Sequence, residues 1–373
     1  MSTRFYVATR KGLFTITKQP AGWRISDAAF LAQNVPMLLH DARDRALYAA
    51  LHHGHFGSKL HKSTNGGKSW EEIGVPTYPE PPKDQEPDKC PFRGIPIPWR
   101  TELIWELEKG GRDEPGVLWC GTVPGGLFRS EDGGKSWDII KSLWYNPRRK
   151  EWTGGGLDYA GIHTVCVDPR NSKHVAVGVS CGGVWVTKDG GETWACQAKG
   201  MRAAYMPPEQ AYEENAQDPH RMVRCPAQPD VMWVQHHNGI FRSTDGSKTW
   251  QEIENVQPSV FGFACVVHPT NGDVAWFVPA VKDEERIPVN AKVVVTRTRD
   301  GGKTFEQLSK GLPQEHAYDL VFRHAMDIDE TGRVLAFGST TGSLWVSEDD
   351  GDSWQTVAEH LPPVYCVRFE KPS

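Results

Sequence analysis

Short apolar segments alternate with glycine-rich polar turns along the whole chain. The apolar runs are only a few residues long, and the sequence contains 37 Gly and 15 Trp. Glycine adopts the positive φ angles that tight hairpin turns need, and a large ring can cover the end of a short strand. The pattern therefore predicts an all-β fold made of many short strands.

One eight-residue pattern, here called the octet, recurs six times. It begins with Ser or Thr, has Asp or Asn third and Gly fourth or fifth, and ends with an aromatic ring. The copies are residues 63–70, 130–137, 187–194, 243–250, 298–305 and 347–354. Asp and Asn side chains accept hydrogen bonds from nearby backbone amides, so each octet predicts a hairpin turn. We interpret these carboxylates as structural and not catalytic.

A second element marks the same units. It is a Gly or Ser, an aliphatic residue and a ring, and it starts 11 residues before the closing ring at 126–128, 183–185, 239–241 and 343–345. Residues 12–14 precede Trp23 by the same interval, which identifies a seventh unit whose octet has decayed. The closing rings lie 47 to 67 residues apart, as expected for four-stranded units with loops.

The octet is the Asp-box, so the chain resembles the BNR or Asp-box repeat proteins. That group includes sialidases, tandem-propeller xyloglucanases, other glycosyl hydrolases, sortilin-type receptors and photosystem II assembly factor-like proteins. The resemblance spans nearly the whole chain and implies a β-propeller. Seven units exceed the six of sialidases, and the Arg-Ile-Pro element of that group does not precede the first octet, so the chain is not a typical sialidase. The resemblance implies a fold more specifically than an activity.

We predict a seven-bladed β-propeller in which residues 1–373 form one domain. Only residues 5–10 precede the Gly-Leu-Phe element of the first unit, whereas an apolar strand at 364–369 follows the last octet. Adding this C-terminal strand to the N-terminal unit completes a four-stranded sheet. Such closure also removes an exposed sheet edge.

The long irregular segments are expected on the face opposite the octet turns. The octets join the third and fourth strands of each unit, so the connections between second and third strands and between units lie on the other face. The long segments are residues 76–100, 143–161, 200–219 and 279–292. Binding and catalytic sites are often built on long loops of a rigid scaffold, so we expect the functional site there.

The innermost strands of a propeller line its axis. We aligned the seven innermost strands on the chain boundary that follows each of them. One position near the start of the strand is then occupied by one residue from each unit. The aligned residues are Pro36, Glu102, His163, His220, Phe263, Asp319 and Tyr365. Imidazole and carboxylate groups suit Zn, Mn or Fe, and they also serve as acid and base.

Three interpretations of this layer stay open. His163, His220, Glu102 and Asp319 could ligate a divalent metal. They could instead form a metal-free catalytic or sugar-binding site, with Glu102 and Asp319 as acid and base and Tyr365 as a further catalytic candidate. In the third interpretation these polar groups only satisfy one another and water in a narrow channel.

The substrate-binding candidates come from the same face. They are Arg10, Arg100, Arg221, Arg286, His53, His236, His237 and Tyr159. A guanidinium fork can hold a substrate carboxylate in two hydrogen bonds, and an aromatic ring can stack on a sugar.

Composition narrows the partners and the compartment. The net charge is −5 and no basic block is present, which argues against nucleic acid and anionic membranes as partners. The eight cysteines are spread singly without a CxxC pair, and we recognise no leader or membrane-spanning segment. These features favour reduced thiols and a cytoplasmic location.

The sequence thus favours a hydrolase-like protein with a small polar or carboxylated, sugar-like ligand in an axial pocket. Two alternatives remain. One is a non-catalytic module that binds or assembles another protein. The other is a metal-dependent lactonase or lyase, for which a divalent metal is the cofactor.

Overall fold

The computed structural model describes residues 1–83 and 86–371, which form seven antiparallel sheets of four strands each. The first sheet contains β1 (Arg4–Thr9), β2 (Gly12–Gln19), β3 (Gly22–Ala29) and β28 (Val364–Phe369). The second contains β4 (Met37–Asp41), β5 (Ala46–His52), β6 (Ser58–Ser63) and β7 (Glu71–Ile73). The third contains β8 (Leu103–Lys109), β9 (Leu118–Val123), β10 (Leu127–Ser130) and β11 (Asp138–Ile139).

The remaining four sheets follow in chain order. The fourth contains β12 (Ile162–Asp168), β13 (Asn171–Val179), β14 (Gly183–Thr187) and β15 (Ala195–Cys196). The fifth contains β16 (Pro219–Arg224), β17 (Met232–His236), β18 (Gly239–Ser243) and β19 (Gln251–Ile253). The sixth contains β20 (Gly262–Val267), β21 (Ala275–Pro279), β22 (Val295–Thr298) and β23 (Glu306–Leu308). The seventh contains β24 (Met326–Ile328), β25 (Leu335–Gly338), β26 (Leu344–Ser347) and β27 (Gln355–Ala358).

Helix is confined to short turns in the described residues. They are α1 (Lys141–Trp144) and the 3-10 segments Gly54–Phe56, Pro147–Glu151, Glu214–Ala216 and Val289–Ala291. None of these described helices has the length and apolar character needed to cross a lipid bilayer.

The sheets are arranged as the blades of a ring. Innermost strands of neighbouring sheets contact one another in the order β28, β4, β8, β12, β16, β20 and β24, and β24 contacts β28 again. Within the first sheet, β1 pairs with β28, so that Phe5 lies opposite Phe369 and Val7 opposite Val367. The predicted all-β, seven-bladed propeller and its closure by the C-terminal strand are both confirmed.

The hydrophobic core lies between the sheets. All five residues of β17 are buried, because both faces of a blade pack against its neighbours. Large rings fill the same layers, and Trp233, Trp276 and Phe337 are almost fully buried. The indole of Trp233 donates to the carbonyl of Gly272 near the next sheet at 2.8 Å, so a buried polar atom is satisfied across two blades. The core thus forms a rigid frame around the axis.

Each octet forms the turn between the third and fourth strands of its sheet. In residues 130–137, Ser130 Oγ donates to Asp132 Oδ1 and accepts from the Gly134 amide, both at 2.9 Å. Ser136 donates its amide and its hydroxyl to the Asp132 carboxylate at 2.9 and 2.6 Å. Gly133 and Gly134 have φ of 72° and 87°, which glycine adopts without strain. Slight burial opposes the effect, but these hydrogen bonds lower the pKa of Asp132 to about 2.

The long irregular segments connect strand ends that face away from the octet turns. Residues 76–100, 143–161 and 200–219 lead from the outermost strand of one sheet to the innermost strand of the next, and 279–292 joins β21 to β22. Residues 84 and 85 of the first segment lie outside the described part of the chain. We call this side the loop face.

Candidate functional site

A bulge near the start of the innermost strand occurs in five sheets. In β12, Ile162 pairs with Val179 and Thr164 pairs with Gly178, so His163 is left without a partner of its own. A bulge rotates one side chain out of the regular pleat and can direct it elsewhere. The residues at these bulges are Trp105 in β8, His163 in β12, His220 in β16, Phe263 with Ala264 in β20, and Tyr365 in β28.

Four of these side chains meet across sheets, together with Arg323. Trp105 packs edge-to-face on His163 with ring centroids 5.4 Å apart, and His220 stacks on Phe263 at 4.3 Å. The Arg323 guanidinium lies 4.9 Å from the centroid of Trp105 and 5.1 Å from that of Phe263. Residues of the third to seventh sheets can converge in this way only near the axis. We call Trp105, His163, His220, Phe263 and Arg323 the axial ring.

Arg323 adds a positively charged side chain to the axial ring. Its Nε atom is buried and has no hydrogen-bond partner among the described residues. Burial lowers the pKa of Arg323 to about 10, although the Asp218 carboxylate opposes this, so the guanidinium stays charged at neutral pH. A charged fork between two aromatic faces suits an anionic ligand.

Asp218, His220 and His237 lie together beside the axial ring and are called the Asp218 cluster. Asp218 Oδ2 is 3.5 Å from His220 Nε2 and 3.4 Å from His237 Nδ1. Asp218 Oδ1 accepts a hydrogen bond from the Cys181 amide at 3.2 Å. His220 Nδ1 lies 2.7 Å from the Gly262 carbonyl, which can only accept. In the neutral ring, Nδ1 of His220 therefore carries the proton and Nε2 carries the lone pair.

The Asp218 cluster combines an ionised carboxylate with imidazoles of different character. Burial alone would raise the pKa of Asp218, but His220, His237 and Arg323 hold it well below its usual range. Burial lowers the pKa of His220, despite Asp218. Burial also acts against protonation of His237, but Asp218 raises its pKa above the ordinary value. His237 is thus the imidazole best suited to hold and release a proton near neutrality.

A second polar group lies one to three residues after the bulges of β8, β16 and β28 and directly after Arg323. Arg221 Nη1 donates to Glu106 Oε2 at 2.8 Å and to His324 Nδ1 at 2.9 Å. Arg368 Nη2 lies 3.3 Å from His324 Nδ1 and 4.0 Å from Glu106 Oε1. Burial raises the pKa of Glu106 to about 6, and the two guanidinium groups offset only part of this effect. We call Glu106, Arg221, His324 and Arg368 the axial ion cluster.

The strand pairing corrects the register assumed for the third and seventh sheets. Glu102 precedes β8 and lies three residues before the bulge at Trp105. Asp319 lies seven residues before β24, in a stretch without strand. The alignment by strand boundaries is off by three residues in β8, and the irregular stretch before β24 has no strand register on which it could rely. Trp105 and Arg323 contribute to the axial ring from these two sheets instead.

The two predicted carboxylates have other partners. Glu102 pairs with Arg100 at 3.1 Å, and Asp319 accepts hydrogen bonds from the hydroxyls of Ser339, at 2.6 Å, and Thr341. Among the described residues, no hydrogen bond or ion pair joins either carboxylate to His163 or His220. The predicted set of His163, His220, Glu102 and Asp319 is therefore not assembled as one group, and the catalytic roles of the two carboxylates stay predictions.

Most other predicted residues on the loop face are near the axis but have varied surroundings. His163 Nδ1 lies 3.0 Å from Thr164 Oγ1, and its buried Nε2 has no partner among the described residues. His236 Nε2 accepts from the Asp218 amide at 3.0 Å, and burial lowers the pKa of His236 to about 3, so it positions the cluster as a neutral ring. Arg286 pairs with Asp283 and lies 5.3 Å from the Phe263 ring.

Four predicted residues and Arg221 are placed differently. Arg10 and His53 line a surface pocket with Gln33 and Phe56, at the first and second sheets. Tyr159 packs at the edge of the core around the first three sheets. Tyr365 packs against Phe322 at 5.8 Å. The Arg221 guanidinium, expected to hold substrate, is engaged by Glu106 and His324.

The sequence interpretation missed Asp218, Trp105, Arg323 and Glu106. The sequence does contain a pattern that could have identified Arg323, namely the adjacent basic pairs His220–Arg221 and Arg323–His324. In each pair the first residue belongs to the axial ring and the second to the axial ion cluster. Aligning the sheets on these pairs, instead of on strand boundaries, would have brought Arg323 into the layer of His220.

Comparison with known proteins gives a fold and no family. No family model matches the chain. An oligoxyloglucan-reducing end-specific xyloglucanase from Emericella nidulans is 38% identical over 78 residues, which are 21% of this chain and 8% of that protein. The chain thus matches only a small part of the length of that curated relative.

Solved structures extend the likeness over the whole ring. The GH74 xyloglucanase from Xanthomonas campestris has a TM-score of 0.63 and 17% identity, covering 100% of this chain and 53% of that one. YCF48 from Cyanidioschyzon merolae has a TM-score of 0.54 and 12% identity, covering 87% and 84%. At such identities the likeness concerns the fold alone. The chain is a seven-bladed β-propeller similar in architecture to these proteins.

Proposed function

We propose that the chain binds a small anionic, sugar-like ligand at the axial ring, on the side of the loop face. The observation that carries this proposal is the charged guanidinium of Arg323, which lies between the rings of Trp105 and Phe263 and whose buried Nε has no partner within residues 1–83 and 86–371. A ligand carboxylate would take the guanidinium donors. A sugar ring would pack on the aromatic faces.

We further propose that the bound ligand is hydrolysed at the Asp218 cluster. His237 acts as general acid, since the Asp218 carboxylate raises its pKa and its side chain is 24% exposed. His220 acts as general base through Nε2, because the Gly262 carbonyl holds the proton on Nδ1. The six octets support a hydrolase, because the Asp-box proteins that they resemble include glycosyl hydrolases.

A ligand screen tests the proposal. Thermal unfolding of the full chain in EDTA would be followed with glucuronate, galacturonate and N-acetylneuraminate, and with the neutral sugars glucose and galactose as controls. We expect a sugar acid to raise the unfolding temperature and neutral sugars to have a smaller effect. Arg323→Gln should abolish the shift, whereas Arg112→Gln, an exposed arginine, should leave it unchanged.

Binding and turnover are then separated with nitrophenyl glycosides of the sugar acid that binds. Release of nitrophenol by the wild type and its loss in His220→Ala, which removes the proposed general base, would support hydrolysis, because nitrophenolate leaves without help from an acid. Binding without release would restrict the function to ligand recognition. The proposal fails if no sugar acid stabilises the wild type, or if Arg323→Gln responds as the wild type does.

A second function, docking of a protein partner, is favoured by exposed rings on the loop face. Their exposed fractions are 81% for Phe56, 79% for Phe92, 63% for Tyr212 and 56% for Tyr318. Aromatic residues are enriched in protein–protein interfaces, and these four rings all lie on the loop face. Failure of every sugar acid in the screen would favour this second function.

A further inference from the structure

We propose that Asp218, His220 and His237 bind one divalent transition-metal ion. The three donor atoms are Asp218 Oδ2, His220 Nε2 and His237 Nδ1, and all lie within 4.8 Å of one another. Donors held 2.0–2.2 Å from a tetrahedral ion stand about 3.3–3.6 Å apart. The carboxylate lies 3.5 and 3.4 Å from the two imidazole nitrogens, so the spacing already suits an ion.

This site differs from the metal site predicted from the sequence. The predicted set was His163, His220, Glu102 and Asp319, and the new set shares only His220 with it. Asp218 and His237 come from strand ends of the fifth sheet, directly before β16 and directly after β17. The ligands are therefore held by one sheet and do not depend on the register between sheets.

Outer contacts fix the orientation of two ligands. His220 donates from Nδ1 to the Gly262 carbonyl and stacks on Phe263, so its Nε2 lone pair has a fixed direction. The Cys181 amide holds Asp218 Oδ1 at 3.2 Å and leaves Oδ2 for the ion. Hydrogen bonds of this kind orient metal ligands and are part of the design of metal sites.

The donor set and its charge select the class of metal. Two imidazole nitrogens and one carboxylate suit Zn²⁺, Fe²⁺, Mn²⁺ or Co²⁺, whereas Ca²⁺ and Mg²⁺ prefer oxygen ligands. Arg323 and Arg286 lie close to the cluster and repel cations, which further disfavours weakly bound ions. Three protein ligands leave a coordination position open for water or a substrate oxygen.

The backbone of Gly155, in the 143–161 segment, lies close to the proposed site. A Cβ on Gly155 would lie 2.9 Å from Cys181 Sγ and 3.4 Å from Asp218 Oδ2, whereas a Cβ on Gly156 would have nothing within 4 Å. Neither glycine needs a positive φ. Gly155→Ala should therefore crowd Cys181, whose amide holds the Asp218 carboxylate, and Gly156→Ala provides the matched control.

Calorimetric titration of the EDTA-stripped full chain with Zn²⁺ alone tests the proposal, with elemental analysis to count the bound ion. We expect about one Zn²⁺ per chain. His237→Ala and Asp218→Asn should weaken binding more than about tenfold, since even changes to outer contacts cost roughly 10–100-fold. His360→Ala, which alters an exposed histidine elsewhere, should bind as the wild type does.

Folding is monitored by thermal unfolding of each variant. Asp218 is buried and its replacement can disturb the fold, so His237→Ala, at a partly exposed side chain, decides the outcome. Gly155→Ala should bind more weakly than Gly156→Ala. The proposal is overturned if the wild type takes up no stoichiometric Zn²⁺, or if His237→Ala and His360→Ala bind it equally.

The metal proposal and the proposed sugar-acid binding fail independently. An ion would occupy His220 Nε2 and His237 Nδ1, so the acid–base hydrolysis proposed above belongs to the metal-free protein. Zn²⁺ binding is measured without sugar acids, and the sugar-acid screen is run in EDTA. Arg323→Gln should lose the sugar-acid response and keep Zn²⁺ binding. Gly155→Ala should weaken Zn²⁺ binding and keep the Arg323-dependent stabilisation.

Discussion

The octet turns and the axial residues satisfy their polar groups over very different distances in the chain. In an octet, every partner of the Asp132 carboxylate lies within four residues of it. At the axis, Arg221 reaches Glu106 across 115 residues of sequence and two sheet boundaries. The repeated face is thus a set of independent local turns. The axial region is one coupled unit, and it keeps atoms on His163 and Arg323 that have no partner in the described part of the chain.

Aspartates of the two regions also differ in why they are ionised. Hydroxyl and amide groups of its own turn lower the pKa of Asp132, whereas imidazoles and a guanidinium lower the pKa of Asp218. Burial opposes the effect in both. A low carboxyl pKa therefore does not mark a functional site by itself, and the charged, long-range partners of Asp218 are the informative feature.

Removal of Glu106 should give the largest effect, because four sheets share the axial ion cluster. Glu106→Ala leaves Arg221 and Arg368 buried without their carboxylate, and we expect it to lower the free energy of unfolding by roughly 3–5 kcal/mol. Urea unfolding measures the loss. Glu71→Ala, at an exposed strand residue, is the control and should have little effect. A loss no larger than that of an octet variant would contradict the coupling inferred for the axis.

The two regions should change the free energy of unfolding with pH in opposite directions. Arg170 and Arg224 hold Asp168 across the fourth and fifth sheets on the octet side and, against burial, lower its pKa to about 2. Its contribution is present above about pH 4 and is lost as the pH falls toward 2, by roughly 2 kcal/mol. The folded-state pKa of Glu106 is raised to about 6, so stability also falls as the pH rises from about 4.5 through 6, by a similar amount.

These two groups together place maximal stability between about pH 4 and 5. Urea unfolding from pH 2 to 8 would measure the curve. Asp168→Asn should flatten its acid limb, and Glu106→Gln should flatten the limb between pH 4.5 and 6. Persistence of a limb in the corresponding variant would show that other groups cause it.

A change in one octet should have the smallest effect. Ser243 is buried, donates to Asp245 and accepts from the Ser247 amide, so Ser243→Ala should cost about 1–2 kcal/mol. Thr244→Ala, at the exposed neighbouring residue, should cost less. Zn²⁺ and sugar-acid binding should not change in either variant. Weakened binding in Ser243→Ala would contradict the independence of the two faces.

The fold could be predicted from the sequence because its determinants are local and repeated. Each octet specifies its own turn, and the Gly-Leu-Phe element at 12–14 identified a first unit that has lost its octet. The strand that completes the first sheet was expected at the bounds at which it occurs, Val364–Phe369. Because the pattern repeats, the first unit could be recognised from its Gly-Leu-Phe element alone, by comparison with units that also have an octet.

The site could be predicted only in part, because its residues depend on bulges and long-range contacts. His163 and His220 were assigned to the axial layer, where bulges direct them. Glu102 and Asp319 were assigned to the same layer by aligning the boundary that follows each innermost strand. A bulge shifts the register by one residue without a regular sequence pattern, and the contact of Arg323 with Trp105 spans most of the ring.

The pairing of β28 with β1 fixes the order in which the ring can be completed during translation. The strand β28 is the last of the described strands to leave the ribosome, whereas β1 is the first. Until then β1 is an open edge to which a neighbouring nascent chain can add. Pairing of the emerged residues 364–369 with β1 therefore ends the period in which the newly made polypeptide is exposed to intermolecular strand exchange.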